Sequence, residues 1–295
     1  NVCTIPEDDT LRIEPGVEVR FVMPENRFDP MILNGTLIAH GAENDSVTFS
    51  SQLEPGISLI ESEGSGCVNA EFVRTLYVGR FLFGEFDAVE IHRSRTNWSR
   101  FNEARVLILS HNDFSRAGMS AMGVREQLEF HNNRLIGFNQ ITIQNFNGAE
   151  VHSNTGVTVD DEVSEITIGG FNGLEVFENT NIRFTIGGIF GGADLSAHDN
   201  KWGILDISEV NGVEVRDNTF VDNILVTSCG NVEISSNYIL TTLGVNGLTR
   251  SEIYENVVLG GYSHYPRSFS ANACISTTVR NNSFCFFRPN HLGVA

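Results

Sequence analysis

One asparagine keeps returning along this chain. When the segment VEVRDNTF beginning at Val213 is aligned with those beginning at Leu107, Leu128, Ala149, Leu174, Leu195, Val232, Ser251 and Thr277, the sixth position is always asparagine: Asn112, Asn133, Asn154, Asn179, Asn200, Asn218, Asn237, Asn256 and Asn282. Successive spacings are 21, 21, 25, 21, 18, 19, 19 and 26 residues. A period near 20 is the signature of a solenoid, in which each coil touches only its neighbours and the product carries long, repetitive faces.

Within each repeat the apolar residues alternate with polar ones, which is the period of a β-strand. Val213 and Val215 face one way, Glu214 and Arg216 the other. The strand ends at Asp217-Asn218, and because asparagine tolerates left-handed backbone better than other non-glycine residues, the pattern puts a sharp corner on the asparagine itself. Two residues later an apolar residue returns (Phe114, Leu135, Trp202, Phe220, Ile239, Val258, Phe284), which predicts a second inward column. A further strand precedes each repeat, as in Ile141-Thr142-Ile143, Ile166-Thr167-Ile168, Phe184-Thr185-Ile186 and Leu205-Asp206-Ile207. Asn-Gly turns follow at Asn147-Gly148, Asn172-Gly173, Asn211-Gly212 and Asn246-Gly247. Three strands and three corners in about 20 residues make a coil of triangular section, with buried Asn amides stacked at one corner.

These repeats resemble those of right-handed parallel β-helices of the pectate-lyase type, with their internal Asn ladder. The opening is similar too: residues 11–21 read LRIEPGVEVRF and 34–49 read NGTLIAHGAENDSVTF. They look like the first coils of many secreted microbial β-helix proteins, including relatives of the periplasmic copper-binding β-helix family. The resemblance spans nearly the whole chain. It implies an all-β, right-handed parallel β-helix of about 13 short coils as one domain over 1–295, with a cap and first coils at 1–64, regular coils at 65–273 and a last coil at 274–295. It implies no single function, because this fold carries lyases, hydrolases, adhesins and structural fibres.

The net charge of −18 sets the chain against nucleic acid and against an anionic membrane surface, both of which call for a basic face. No apolar run reaches the length of a membrane span. The start at Asn1 rather than Met reads as a trimmed leader, and a secreted or cell-surface location follows. Five cysteines are present without a C-x-x-C pair, which weakens a zinc or thioredoxin reading. Cys274 and Cys285 in the last coil, and Cys3 and Cys67 at the other end, are the candidate disulfides, leaving Cys229 odd. Sequons at Asn34, Asn44, Asn97 and Asn281 are candidate glycosylation sites.

Chemistry is harder to find. Hydrolases of the resembled fold carry N-T-D, D-D, G-H-G and R-I-K motifs, and here there is no G-H-G or R-I-K. Asn154-Thr155-Gly156 lacks the aspartate, and the acidic run Asp160, Asp161 and Glu162 in a longer coil is the weak catalytic candidate. The outward second position of the repeat is glutamate in many coils (Glu129, Glu150, Glu175, Glu214, Glu233, Glu252), with His131, His152, His198, Arg216 or Arg280 at the fourth position. Stacked carboxylates repel, and the adjacent cations, or bound calcium, would offset this, so the column is a candidate cation or partner face. Short coils leave little chain to wall a cleft. The sequence therefore reads first as a secreted, non-catalytic filament, fibre or adhesin subunit assembling end to end with copies of itself, without a required cofactor. The alternative is a polysaccharide lyase or glycoside hydrolase, with carbohydrate as partner.

Overall fold

In a computed structural model the chain is described over residues 3–22, 30–51, 58–76, 80–96, 99–115, 118–137, 139–260 and 269–285, with residues 189, 190 and 220 described in backbone only. Asn97, the Phe220 side chain and residues 288–295 lie outside this. The described residues form strands and turns without a helix, in a parallel β-solenoid. Among the described residues no helix is long and apolar enough to cross a membrane. By contacts the chain divides into two compact units, Asn1–Ile168 and Gly169–Ala295.

In the first unit, strands stack in parallel register coil upon coil. Leu37, Val68, Val89, Leu107, Leu128 and Ala149 are paired in turn on what we call the main face, and all are buried. The corner that follows leads to a seven-stranded parallel sheet, from Glu18–Phe21 through Val73–Leu76 to Thr155–Val157. The strands that precede the main face make the third, lead face. Inside, Phe49 packs against Phe81, Phe86 against Phe101 and Phe114 against Phe130, with ring centroids 5.1, 5.9 and 5.8 Å apart. Burying such side chains contributes about 25 cal/mol per Å² of apolar surface.

The second unit repeats the plan. Leu195, Val213 and Val232 pair in register on its main face and are buried. The solenoid amounts to about nine turns, fewer than the about 13 that length and period suggested. The asparagine-cornered repeat begins only at Leu107, and the first two coils are larger: 26 residues separate Leu11 from its partner Leu37, and 31 separate Leu37 from Val68.

The corner asparagines are tied together. In the first unit the N–H of Asn112 donates to Asn133 Oδ1 at 3.0 Å and that of Asn133 to Asn154 Oδ1 at 2.9 Å. In the second, Asn179, Asn200, Asn218, Asn237 and Asn256 each donate to the Oδ1 of the next, ending on Asn282, over 2.9–3.1 Å. Each Nδ2 in turn donates to a main-chain carbonyl, as Asn218 does to Ala197 at 2.9 Å. The ladder extends past its asparagines, for Ser94 takes the same position below Asn112 and its hydroxyl accepts from the Val73 N–H at 2.9 Å.

Three sequence expectations are corrected. The left-handed residue at the corner is not the asparagine but the residue before it: His111, Asn132, Ser153, Glu178, Asp199, Asp217, Ser236, Glu255 and Asn281 all have φ between 53° and 57°. The asparagine is thereby turned inward, free to bond. Trp202 does not join the inward column: its own φ is 51° and it is 51% exposed, because the chain beside it makes only the isolated bridge of Lys201 before turning. All five cysteines are unpaired. Cys274 and Cys285 flank the strand Ser283–Phe284 and the six-residue strand Ile275–Arg280, the latter alone spanning about 20 Å. A disulfide needs Cα atoms within about 7 Å. Cys3 lies beside Ile32 on the lead face and Cys67 pairs with Thr36 on the main face, so they face different sides of the coil.

Asn218 is fully buried, donates to Ala197, Arg216 and Asn237, and accepts from both the main-chain and side-chain nitrogens of Asn200. Replacing Asn218 with Ala leaves buried groups on two coils unpaired, so a loss of at least about 1–3 kcal/mol is expected in urea unfolding. The half-exposed Asn282 sits on the last rung, and Asn282→Ala should cost clearly less.

Candidate functional site

Alternation on the main face of the second unit sends two columns outward. The first pairs Ser196, Glu214, Glu233, Glu252 and Thr278 in turn, and the second His198, Arg216, Ser235, Tyr254 and Arg280. Neighbouring strands lie about 4.8 Å apart, so the three glutamates stack at that spacing. Each is drawn to a partner in the second column. Arg216 Nε donates to Glu214 at 2.6 Å while its Nη1 donates to Asp217 at 3.0 Å. The Tyr254 hydroxyl donates to Glu233. Arg280 reaches Glu252 at 3.4 Å and lies over the Tyr254 ring, 4.2 Å from its centroid. The two carboxylates raise the Arg216 pKa, and the bond to Glu233 raises that of Tyr254.

At one end of these columns His198 is held between two carboxylates, Nε2 to Glu175 at 3.0 Å and Nδ1 to Asp199 at 2.8 Å, with the Phe177 ring stacked on it at 5.3 Å. Burial opposes its protonation, but the bonds to Asp199 and Glu175 outweigh this and raise its pKa. Beside it an open depression is lined by Asp194, Ser196, Gly212, Glu214, Asn231 and Glu233. Its shape depends on the Asn211-Gly212 turn. Gly212 has φ +75°, and a Cβ there would lie 2.7 Å from Asp194 Oδ1, so only glycine lets that carboxylate line the wall. Asn231 closes the other side by donating to Asn211 Oδ1 at 2.8 Å.

The first unit has a weaker version. Glu90, Ile108, Glu129 and Glu150 follow one another outward, so the carboxylate column is broken by Ile108. Each glutamate has a histidine two residues on: His92 at 4.0 Å, His131 at 3.6 Å and His152 at 3.9 Å. His131 and His152 stack on each other, centroids 4.9 Å apart and 3° from parallel. Burial first, then the neighbouring His152, His111 and His92, lower the His131 pKa against the pull of Glu129.

Asp160, Asp161 and Glu162 are all exposed. They form an exposed turn in which the Glu162 N–H donates to the Val159 carbonyl at 3.0 Å. Calcium calls for six to eight oxygens. Among the described residues no three His, Cys, Asp or Glu converge as ligands. Asn34, Asn44 and Asn281 lie at turns or corners. Sequence reasoning missed Asp194, Asp199 and Tyr254. Asp199 was signalled by the acidic residue next to the basic fourth position, a pattern it shares with Asp217.

No family model matches the chain, and no curated protein matches it in sequence. Solved structures do. One is the A-module of a mannuronan C-5 epimerase from Azotobacter vinelandii, at 14% identity over 95% of this chain and 88% of that one, with a TM-score of 0.34. Another is the catalytic domain of an α-1,3-glucanase in complex with nigerose, at 9% identity over 95% of this chain and 64% of that one, with a TM-score of 0.36. A third is a surface protein and adhesin from Streptococcus pneumoniae, at 10% identity over 96% and 91%, with a TM-score of 0.21. These are parallel β-helix proteins, and so is this chain in fold. Likenesses this distant transfer no activity.

The two histidine sites predict opposite pH responses. His131 has a folded pKa below the ordinary 6.5, so its contribution is full above that value and is lost as pH falls through the lowered pKa. His198 has a raised pKa, so its contribution is full below 6.5 and is lost as pH rises through the raised value. Urea unfolding between pH 5 and 8 should show His131→Gln flattening the acid limb and His198→Gln the alkaline limb. Partial solvation of both rings keeps each effect small beside the loss of a ladder asparagine.

Proposed function

We propose that the protein acts on an extracellular polysaccharide, as a glycoside hydrolase or lyase, at the depression on the main face of the second unit. The observation that carries this reading is the pair Glu214 and Glu233, in register on adjacent strands and lining one depression. The strand spacing of about 4.8 Å approaches the roughly 5–5.5 Å at which two carboxyl groups serve a retaining glycosidase. Their partners differ. Glu214 is ion-paired with Arg216, which suits the nucleophile, and Glu233, oriented by the Tyr254 hydroxyl, is the second carboxyl of the pair. His198, between Glu175 and Asp199 at the end of the second column, is a further proton-transfer group on the same face. Trp202, following on the corner after His198, offers an exposed indole with a flat apolar face for a sugar ring.

The test is release of reducing or unsaturated ends from a panel of polysaccharides. Glu214→Gln and Glu233→Gln should each lower turnover by about 10²–10⁴-fold with the fold intact. Trp202→Ala should weaken binding with turnover at saturation nearly unchanged. Equal activity in Glu214→Gln and the parent protein on every cleaved glycan would reject the assignment.

A second reading, end-to-end self-association, is supported by Ile275 and Val279, which are 66% and 44% exposed on the last described main-face strand. Sedimentation should then show oligomers that Ile275→Asp reduces to monomers, and a concentration-independent monomer would reject it.

A further inference from the structure

We infer that the lead face of the first unit carries an oxyanion site, built from Arg80, Arg100 and Ser120 around the ring of Phe83, that takes a sulfate or phosphate group. The two guanidiniums come from neighbouring coils, within the strands Arg80–His92 and Ser99–Ser110. Both lie against the same ring, Arg80 at 5.3 Å and Arg100 at 6.0 Å from its centroid. Guanidiniums stacked on an aromatic face turn their N–H edges outward, the geometry in which arginine binds oxyanions.

Two observations mark this pair as short of a partner. Among the described residues neither arginine makes an ion pair, and the one hydrogen bond of the two goes from Arg100 Nε to Asn102 Oδ1 at 3.1 Å. Arg80 Nε is buried with no acceptor, which leaves the terminal nitrogens of Arg80 to meet a ligand. The same coils show the contrast. Arg105 is consumed by Asp87 at 2.8 Å and Glu126 at 2.9 Å, and Arg125 by Glu103.

The outward column shows how acids are kept away. Glu61, Phe83, Arg100, Ser120 and Thr142 pair in turn across five coils. Phe83 therefore stands between Arg100 and the nearest carboxylate of the column, Glu61. On the other side come only hydroxyls. Donors thus arrive from three successive coils, Arg80 with Phe83, then Arg100, then Ser120. A tetrahedral oxyanion, with three or more free oxygens, can accept from three directions, whereas a carboxylate offers two oxygens. The site is independent of the carboxylates of the second unit. It rests on the polysaccharide reading only where the group is carried by a glycan.

The experiment is calorimetric titration of the full chain with one trisaccharide in three forms: unsubstituted, sulfated and phosphorylated. Binding of a substituted form at least about 10-fold tighter than the unsubstituted one is expected, weakening with salt. Arg80→Gln and Arg100→Gln should each remove about 10-fold of that preference, and Arg80→Lys and Arg100→Lys, checked by circular dichroism, should keep part of it. Arg183→Gln, an exposed arginine of the second unit, should change nothing. Preference for sulfate or for phosphate names the source. Equal binding of all three forms, or a preference untouched in both Gln variants, overturns the site. Hydrolysis assays on Glu214→Gln are read separately, so either conclusion can fail alone.

Discussion

From the coil of Leu107 onward, this fold rests on the hydrogen bonds of one carboxamide repeated at each corner. A corner between two strands exposes main-chain N–H and C=O groups that no ladder partner can reach, and burying them unpaired is costly. Each corner asparagine solves this for two coils at once: its Oδ1 takes the N–H of the asparagine before it, and its Nδ2 gives to a carbonyl of the coil below. The bond that closes one corner thus fixes the height of the next. A shift of one residue would break both bonds and turn every side chain of the strand to the other face. The ladder sets the register, and the register sets which side chains share a face.

That dependence reaches the candidate site directly. Glu214 and Glu233 neighbour each other because Asn218 and Asn237 are bonded four residues further on. A fold of this kind places functional groups on rigid strands rather than on long loops, and it offers them in columns with a fixed step. Its cost is that identical positions repeat whether or not the chemistry wants them. Ile108 in the first unit and Ser196 in the second each break a glutamate column, and in the second unit an open depression lies beside the break.

The asparagine period and the two-residue alternation were legible in the sequence because each is a local rule repeated many times. They gave the parallel β-helix, the inward columns and the outward glutamates. What was not legible came from residues that act once. Trp202 has the right spacing to point inward, but the preceding bridge is too short to hold it there. Cysteine spacing gave no measure of the strand that separates Cys274 from Cys285. Placing the left-handed turn on Asn218 assumed that the most tolerant residue takes the strain. Asp217 takes it instead, since Asn218 is needed for bonding. The Arg80–Phe83–Arg100 cluster crosses coils outside the asparagine repeat, so no alignment on Asn112 or its equivalents could bring it into view.

The glutamate column itself shows how such a face stays stable. Two carboxylates at about 4.8 Å repel by roughly 1 kcal/mol in water, and more where water is thinned. The second unit does not leave Glu214, Glu233 and Glu252 to face one another. Arg216, Tyr254 and Arg280 each draw one of them sideways into the neighbouring column. The carboxylate oxygens are therefore already bonded before a ligand arrives. A calcium ion would have to compete with Arg216 and Tyr254 for them, whereas a sugar hydroxyl can donate to a remaining lone pair and accept from the same arginine. Donor and acceptor lie side by side at every step of the stack, which matches a ligand whose hydroxyls do both and whose own units repeat along a chain.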